Sequence, residues 1–118
     1  MINLTNASLK IYLALQPCDM RKSFNGLTEI ATEHLGQELV KEAIFAFVNK
    51  RRNRLKLLYF DGTGLWVAAK RLEEGTFSWP TSNNARDKKL KLAPQALQLL
   101  LDGVDLKGAS MRGWYQVE

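Results

Sequence analysis

An α+β fold is predicted for this chain: an antiparallel β-meander of four or five strands, one helix after the first strand and another near the C-terminus. Three observations carry that reading. Apolar runs of strand length fill the middle of the chain, at Ala43–Val48, Arg54–Phe60 and Leu65–Leu72, each bounded by turn residues. The stretch Met20–Leu35 repeats instead at helical spacing, and a second helical pattern follows Pro94.

Taken in order, Leu9–Leu15 (LKIYLAL) alternates Leu9, Ile11, Leu13 and Leu15 with Lys10, Tyr12 and Ala14, the period of a half-buried strand, and Pro17 ends it. Asp19 is the expected N-cap of the helix that follows. Met20, Phe24, Leu27, Ala31 and Leu35 line one face of it, and Gly36 supplies its end. Arg21, Lys22, Asn25, Thr28, Glu29 and Thr32 form the other face. Two features work against this helix. Arg21 and Lys22 would stand in its first turn, where the macrodipole disfavours cations by about 0.3–1 kcal/mol, and Gly26 mid-helix costs about 1 kcal/mol relative to Ala. The plain explanations are pairing of the cations with Asp19 or Glu29, and close packing of a strand on Gly26. The functional one is a binding face.

Asp61-Gly62-Thr63-Gly64 joins the second and third central runs, with glycine where a tight hairpin needs positive φ. If that loop leaves Phe60 opposite Leu65, antiparallel counting sets Arg54 near Arg71 and Lys56 near Ala69. The connection Asn49–Asn53 lies at the same end. The segment from Lys50 to Arg71 holds seven cations (Lys50, Arg51, Arg52, Arg54, Lys56, Lys70 and Arg71) against one acid, Asp61. The predicted register gathers them on one edge of the meander. Like charges directly across a strand pair destabilise it, and an anionic partner would offset that cost.

Glu73-Glu74-Gly75 reads as a turn and Thr76–Trp79 as a short fourth strand closed by Pro80. Thr81–Asp87 is polar and loop-like, expected to be mobile, and leads into Lys88, Lys89 and Lys91. Pro94 suits the first turn of a helix carrying Leu97, Leu100 and Leu101, with Gly103 past its end. The tail from Asp105 shows no period.

With 118 residues, 46% hydrophobic and 25% charged, the chain reads as a single domain, 1–118, with one core. The net charge of +5 favours a polyanionic partner. One cysteine, Cys18, and one histidine, His34, exclude an internal disulfide and a Cys/His zinc site, so neither a metal nor another cofactor is expected. The N-terminus lacks a basic segment followed by a long apolar core, and no apolar run approaches the roughly 20 residues of a membrane span. A cytoplasmic protein without membrane contact is expected.

Four segments, D-M-R-K-S-F-N-G-L at Asp19–Leu27, R-N-R-L-K-L-L-Y-F-D-G-T-G-L at Arg52–Leu65, K-R-L-E-E-G-T-F-S-W-P at Lys70–Pro80 and L-L-L-D-G-V-D at Leu99–Asp105, resemble one family in order and spacing. It is that of the TnpB, or second-reading-frame (Orf2-like), accessory proteins of insertion-sequence 66 type mobile elements, distinct from the RNA-guided nucleases that share the name TnpB. The resemblance implies a helper in transposition, encoded beside a transposase that carries its own catalytic acids. Ser23, where glycine is common in that family, and Ala93, where a Ser or Thr cap often precedes the last helix, depart from its pattern.

Catalysis is not expected. A metal-dependent nuclease needs two or three convergent carboxylates. Here Asp19 suits a cap, Asp61 a tight turn, and Glu73 and Glu74 a turn at the far end of the strand from Asp61. Two readings remain for the basic edge. In one, Lys50, Arg51, Arg52, Arg54, Lys56, Lys70 and Arg71, joined by Arg21 and Lys22, neutralise DNA phosphates without reading sequence, since no helix-turn-helix, zinc finger or ribonucleoprotein motif is present. In the other the chain is an adaptor that touches the transposase and not DNA. Arg54–Phe60 is apolar on both faces (Leu55, Leu57 and Tyr59; Leu58 and Phe60), so a partner or a second copy would complete the sheet's cover.

Overall fold

The computed structural model describes residues 8–82, 84–106 and 113–117. Its strands are β1 (Lys10–Ala14), β2 (Ala43–Val48), β3 (Arg54–Phe60), β4 (Leu65–Arg71) and β5 (Lys89–Leu92), with a three-residue β6 (Tyr115–Val117) in the tail. Helix α1 (Phe24–Glu29) runs on into a π-helical turn, Ile30–His34, and α2 spans Pro94–Leu101. The α+β architecture is the expected one, with a helix after the first strand and another toward the C-terminus. All six strands form one sheet in the order β4-β3-β2-β1-β5-β6. Every pairing is antiparallel except β1 with β2, which are parallel. A parallel pair needs a long crossover, and residues 15–42, with α1 inside them, supply it.

Each face of the sheet carries its own core. On one, Ile11 and Leu13 of β1, Ile44 and Val48 of β2, and Leu55 and Leu57 of β3 pack with Phe77, Trp79 and the Ala96, Leu97 and Leu100 stripe of α2. On the other, Tyr12, Phe45, Phe47 and Leu58 meet Leu27, Ala31 and Leu35 from the α1 segment. Strand β2 is covered on both sides and buried throughout, which is why AIFAFV is apolar without alternation. Each buried Leu or Phe contributes about 1.5–3 kcal/mol relative to exposure. Leu55, Leu57 and Tyr59 of β3 pack in the α2 layer and Leu58 in the α1 layer.

Local structure departs from expectation in four places. Helix α1 begins at Phe24, because Asp19 does not cap it: its carboxylate accepts from the Arg21 N–H and guanidinium, and Lys22 N–H closes a turn on the Asp19 carbonyl at 3.1 Å. Ser23 is the N-cap residue, without a side-chain bond, so Arg21 and Lys22 precede the first turn instead of occupying it. What packs closest on Gly26 is the Lys22 stem, which a Cβ there would meet at 3.1 Å. Thr76–Trp79 is not a strand. Phe77 and Trp79 are buried on the α2 face of the sheet, with Phe77 N–H on the Arg52 carbonyl at 2.7 Å and Trp79 Nε1–H on the Ala14 carbonyl at 2.8 Å. Two strands lie outside the expected set, the three-residue β6 in the tail and β5, whose Leu90 and Leu92 are buried between lysines.

Helix ends are closed from the sheet. After the π turn, Leu35 N–H reaches the Ile30 carbonyl, Gly36 turns at φ +66°, and Gln37 N–H bonds the Ala31 carbonyl. Lys89 of β5 then donates to the Leu35 carbonyl and to Gln37 Oε1, each at 2.8 Å. Helix α2 starts as expected, at Pro94 after an Ala93 with no side-chain cap.

Candidate functional site

The connection between β2 and β3 is a turn zipped by two asparagines. Asn49 Oδ1 accepts from the backbone N–H groups of Asn53 and Arg54, each at 3.0 Å, and Asn49 Nδ2 donates to Asn53 Oδ1 at 2.8 Å. Arg52 sits in left-handed backbone, φ +60°, with its N–H on the Asn49 carbonyl. Closing the loop on its own backbone leaves Lys50, Arg51 and Arg52 as exposed cations on a fixed frame.

The hairpin register is the predicted one. Phe60 pairs with Leu65, Lys56 with Ala69 and Arg54 with Arg71, and Leu72 N–H adds a bond to the Asn53 carbonyl at 2.9 Å. Side chains alternate across the sheet, so Arg54, Lys56, Ala69 and Arg71 share the α1 face with Leu58. Beyond the reach of α1 that face stays open. Two adjoining clefts occupy it, of about 460 and 480 Å³, sharing Met20, Arg54 and Arg71 as a common wall. Lys56 borders the first; Arg21, Lys50 and Arg51 border the second. Six of the nine cations singled out in the sequence therefore line one continuous basic groove.

Three stand apart. Lys70 borders the first cleft, yet its side chain belongs to the opposite face: Nζ donates to the Leu101 carbonyl at the end of α2 at 2.7 Å and lies 3.8 Å from Asp102. That is helix C-capping by a lysine. Lys22 lines neither cleft; its carbonyl accepts from Lys56 Nζ at 2.8 Å, which ties the segment before α1 to β3. Arg52 also lines neither, and its carbonyl holds Phe77.

Within the groove two arginines are already paired. Arg21 chelates Asp19, with its closest contact at 2.7 Å, and this holds the Asp19 carboxyl down at about 2. Arg71 meets Glu73 at 3.2 Å. Both pairs are exposed, and such pairs contribute little. Arg54 has no carboxylate partner among the described residues. Sequence reasoning missed Met20, Asn49, Asn53 and Glu73 as parts of the groove. The Asn-x-x-x-Asn spacing before a strand was the available signal for the zipped turn.

The carboxylates considered for metal chemistry are dispersed. Asp61 accepts from Thr63 N–H, Thr63 Oγ1, Gly64 N–H and Trp66 Nε1, all at 2.8–2.9 Å, and these donors hold it far below the usual carboxylate range. It lies at the opposite end of β4 from Glu73. No group of three His, Cys, Asp or Glu at metal-binding range occurs among the described residues. Burial pushes the Cys18 thiol up, away from the thiolate a nucleophile needs. No helix among the described residues is long and apolar enough to cross a membrane.

The profile of the family described as IS66 Orf2 like protein matches residues 9–111. The chain belongs to that family. The match runs from β1 to beyond α2 and so takes in the whole basic groove, and the IS66 Orf2-like family ties the chain to insertion sequences and to an accessory part in transposition. Two relatives come from Sinorhizobium fredii. Uncharacterized protein y4jC is 36% identical over 97 residues, covering 82% of this chain and 80% of the relative. Uncharacterized protein y4hO is 29% identical over 98 residues, covering 83% of each. No solved structure matches significantly.

Proposed function

We propose that this IS66 Orf2-like protein assists a transposase encoded by the same element by holding DNA through its phosphates in the basic groove. One observation carries the reading: Arg54 and Arg71 face each other across β3 and β4, beside a turn that presents Lys50 and Arg51, on a face left open by α1. A folded protein gains nothing from opposing two arginines. A phosphate between them converts the repulsion into two charge-assisted contacts.

In this mechanism Lys50, Arg51 and Arg54 have no acid to release among the described residues, and Lys56 has only the Lys22 carbonyl. Arg21 and Arg71 exchange Asp19 and Glu73 for phosphate oxygens, a near-neutral trade because both existing pairs are solvated. Binding is through backbone charge, so affinity is general and steeply salt-dependent. The groove offers no helix to a base edge, and sequence choice would rest with the transposase.

Fluorescence anisotropy with a duplex of the transposon end tests the reading. Binding is expected at about 50 mM salt and a loss of at least tenfold by about 200 mM. No binding at low salt, or an affinity indifferent to salt, refutes it. In that case co-purification of the chain with the transposase at high salt would favour an adaptor that contacts protein alone.

A further inference from the structure

Strand β4 is an edge of the sheet. It is seven residues long, and among the described residues nothing pairs with its outer side. Which backbone groups are free follows from the hydrogen bonds flanking the hairpin ladder. Asp61 N–H bonds the Gly64 carbonyl and Leu72 N–H the Asn53 carbonyl, so the even-numbered residues of β4 direct their N–H and C=O groups at β3. Leu65, Val67, Ala69 and Arg71 direct theirs outward. Edge strands are ordinarily protected by short length, proline, a bulge or charge. Here the only such device is the pair Lys70 and Arg71, at one end. The other end and centre are uncharged, with Trp66 50% exposed and Ala68 and Ala69 exposed.

We infer that β4 is the seam of a twofold dimer, pairing antiparallel with β4 of a second copy about Ala68. This register satisfies the outward groups of all four residues, since Leu65 falls opposite Arg71 and Val67 opposite Ala69, each twice. It is also the register that resolves the charges. The cationic end of each strand meets the uncharged end of the other, with Arg71 opposite Leu65 and Lys70 opposite Trp66. Centring on Lys70 would oppose two ammonium groups. Centring on Ala69 leaves the Leu65 groups of both copies unpaired. At the axis, Ala68 meets its own copy at the closer, non-hydrogen-bonded spacing of about 4.5 Å, which suits a methyl group.

The axis of such a pairing is perpendicular to the sheet, so both copies present the same face to the same side. Both basic grooves then open in one direction. The two Arg71 residues lie six residues apart along the seam, about 20 Å at about 3.4 Å per residue. A dimer built this way would engage one polyanion at two sites, although the pairing itself does not depend on what the grooves bind.

Sedimentation velocity on the full chain at concentrations up to on the order of 100 μM tests the seam. Wild type is expected at twice the chain mass. Ala68→Lys and Ala68→Glu, each placing like charges across the axis, are expected to sediment as folded monomers, and a one-to-one mixture of the two to recover the dimer. Ala69→Pro removes one outward N–H without touching the β3 ladder and is expected to be monomeric as well. A monomeric wild type, a dimer that survives all three substitutions, or a charge-swapped mixture that stays monomeric would overturn the inference. So would a monomer that uses β4 to hold the transposase, seen as co-purification abolished by Ala68→Lys. None of these results bears on DNA affinity, which is read separately by anisotropy.

Discussion

Replacing Arg54 with Gln is expected to make the isolated protein more stable, the reverse of the usual effect of a substitution. Arg54 faces Arg71 across the hairpin, and of the two only Arg71 has an acid, Glu73 at 3.2 Å. The Arg71 side chain is 60% exposed, so the surroundings are close to water. Two unit charges about 7 Å apart at a dielectric of about 80 repel by about 0.6 kcal/mol, inside the range of about 0.2–1 kcal/mol for cross-strand pairs. Glu73 offsets part of this, leaving about 0.5 kcal/mol. With an unfolding entropy of about 2.1 cal/mol/K per residue, 118 residues give about 0.25 kcal/mol/K. The expected rise in melting temperature is then about 2 °C at low salt. It should vanish near 1 M salt, where the screening length is about 3 Å. Thermal melts by circular dichroism at both salt concentrations measure this. A fall of more than about 1 kcal/mol at low salt would mean that Arg54 is a structural residue, and the argument for a groove built against its own stability would fail.

Three further outcomes separate structure from site. Lys70→Met deletes the ammonium on the Leu101 carbonyl and should cost about 0.5–1.5 kcal/mol in urea unfolding, while leaving the salt dependence of DNA binding unchanged because that charge lies on the α2 face. Trp79→Phe strands the buried Ala14 carbonyl and should cost about 1–3 kcal/mol, read as a lower urea midpoint at constant slope. Asp61→Asn sets an amide donor against Trp66 Nε1–H and should destabilise the hairpin at pH 7. The folded carboxyl lies below its ordinary value of 3.8, so its contribution is present above about pH 4 and is lost as pH falls further. Melts of variant and wild type should therefore converge on acidification; a gap that is constant with pH would contradict the carboxylate's role.

The hairpin was legible because its signals are local. Asp-Gly-Thr-Gly set the turn, the turn set the register, and the register placed Arg54 opposite Arg71. Helix α1 was legible as a helix but not in its start, since Asp19 can satisfy either a cap or the turn that binds Arg21, and only the three-dimensional path decides. Thr76–Trp79 shows why a short run between turn residues does not settle pairing: Phe77 and Trp79 are buried without joining the sheet. Strand β5 hid because four residues of Lys-Leu-Lys-Leu look like the end of a charged loop. The same limit holds for the site. Charge count ranks Lys70 and Arg54 alike, while their partners divide them, one holding a helix end and the other without an acid among the described residues.

The central claim, that the groove takes phosphate, is tested most directly by the salt slope of DNA binding in wild type and in a triple variant. Lys50→Gln, Arg51→Gln and Arg54→Gln together remove three exposed charges and spare Arg52, whose φ of +60° would mix charge with backbone effects. Each phosphate contact contributes about −0.9 to the slope of log K against log salt on duplex DNA. A wild-type slope of about −4 to −5 is expected, reduced in magnitude by about 2.7 in the variant, with an unchanged or raised melting temperature. A variant that binds with the wild-type slope would contradict it.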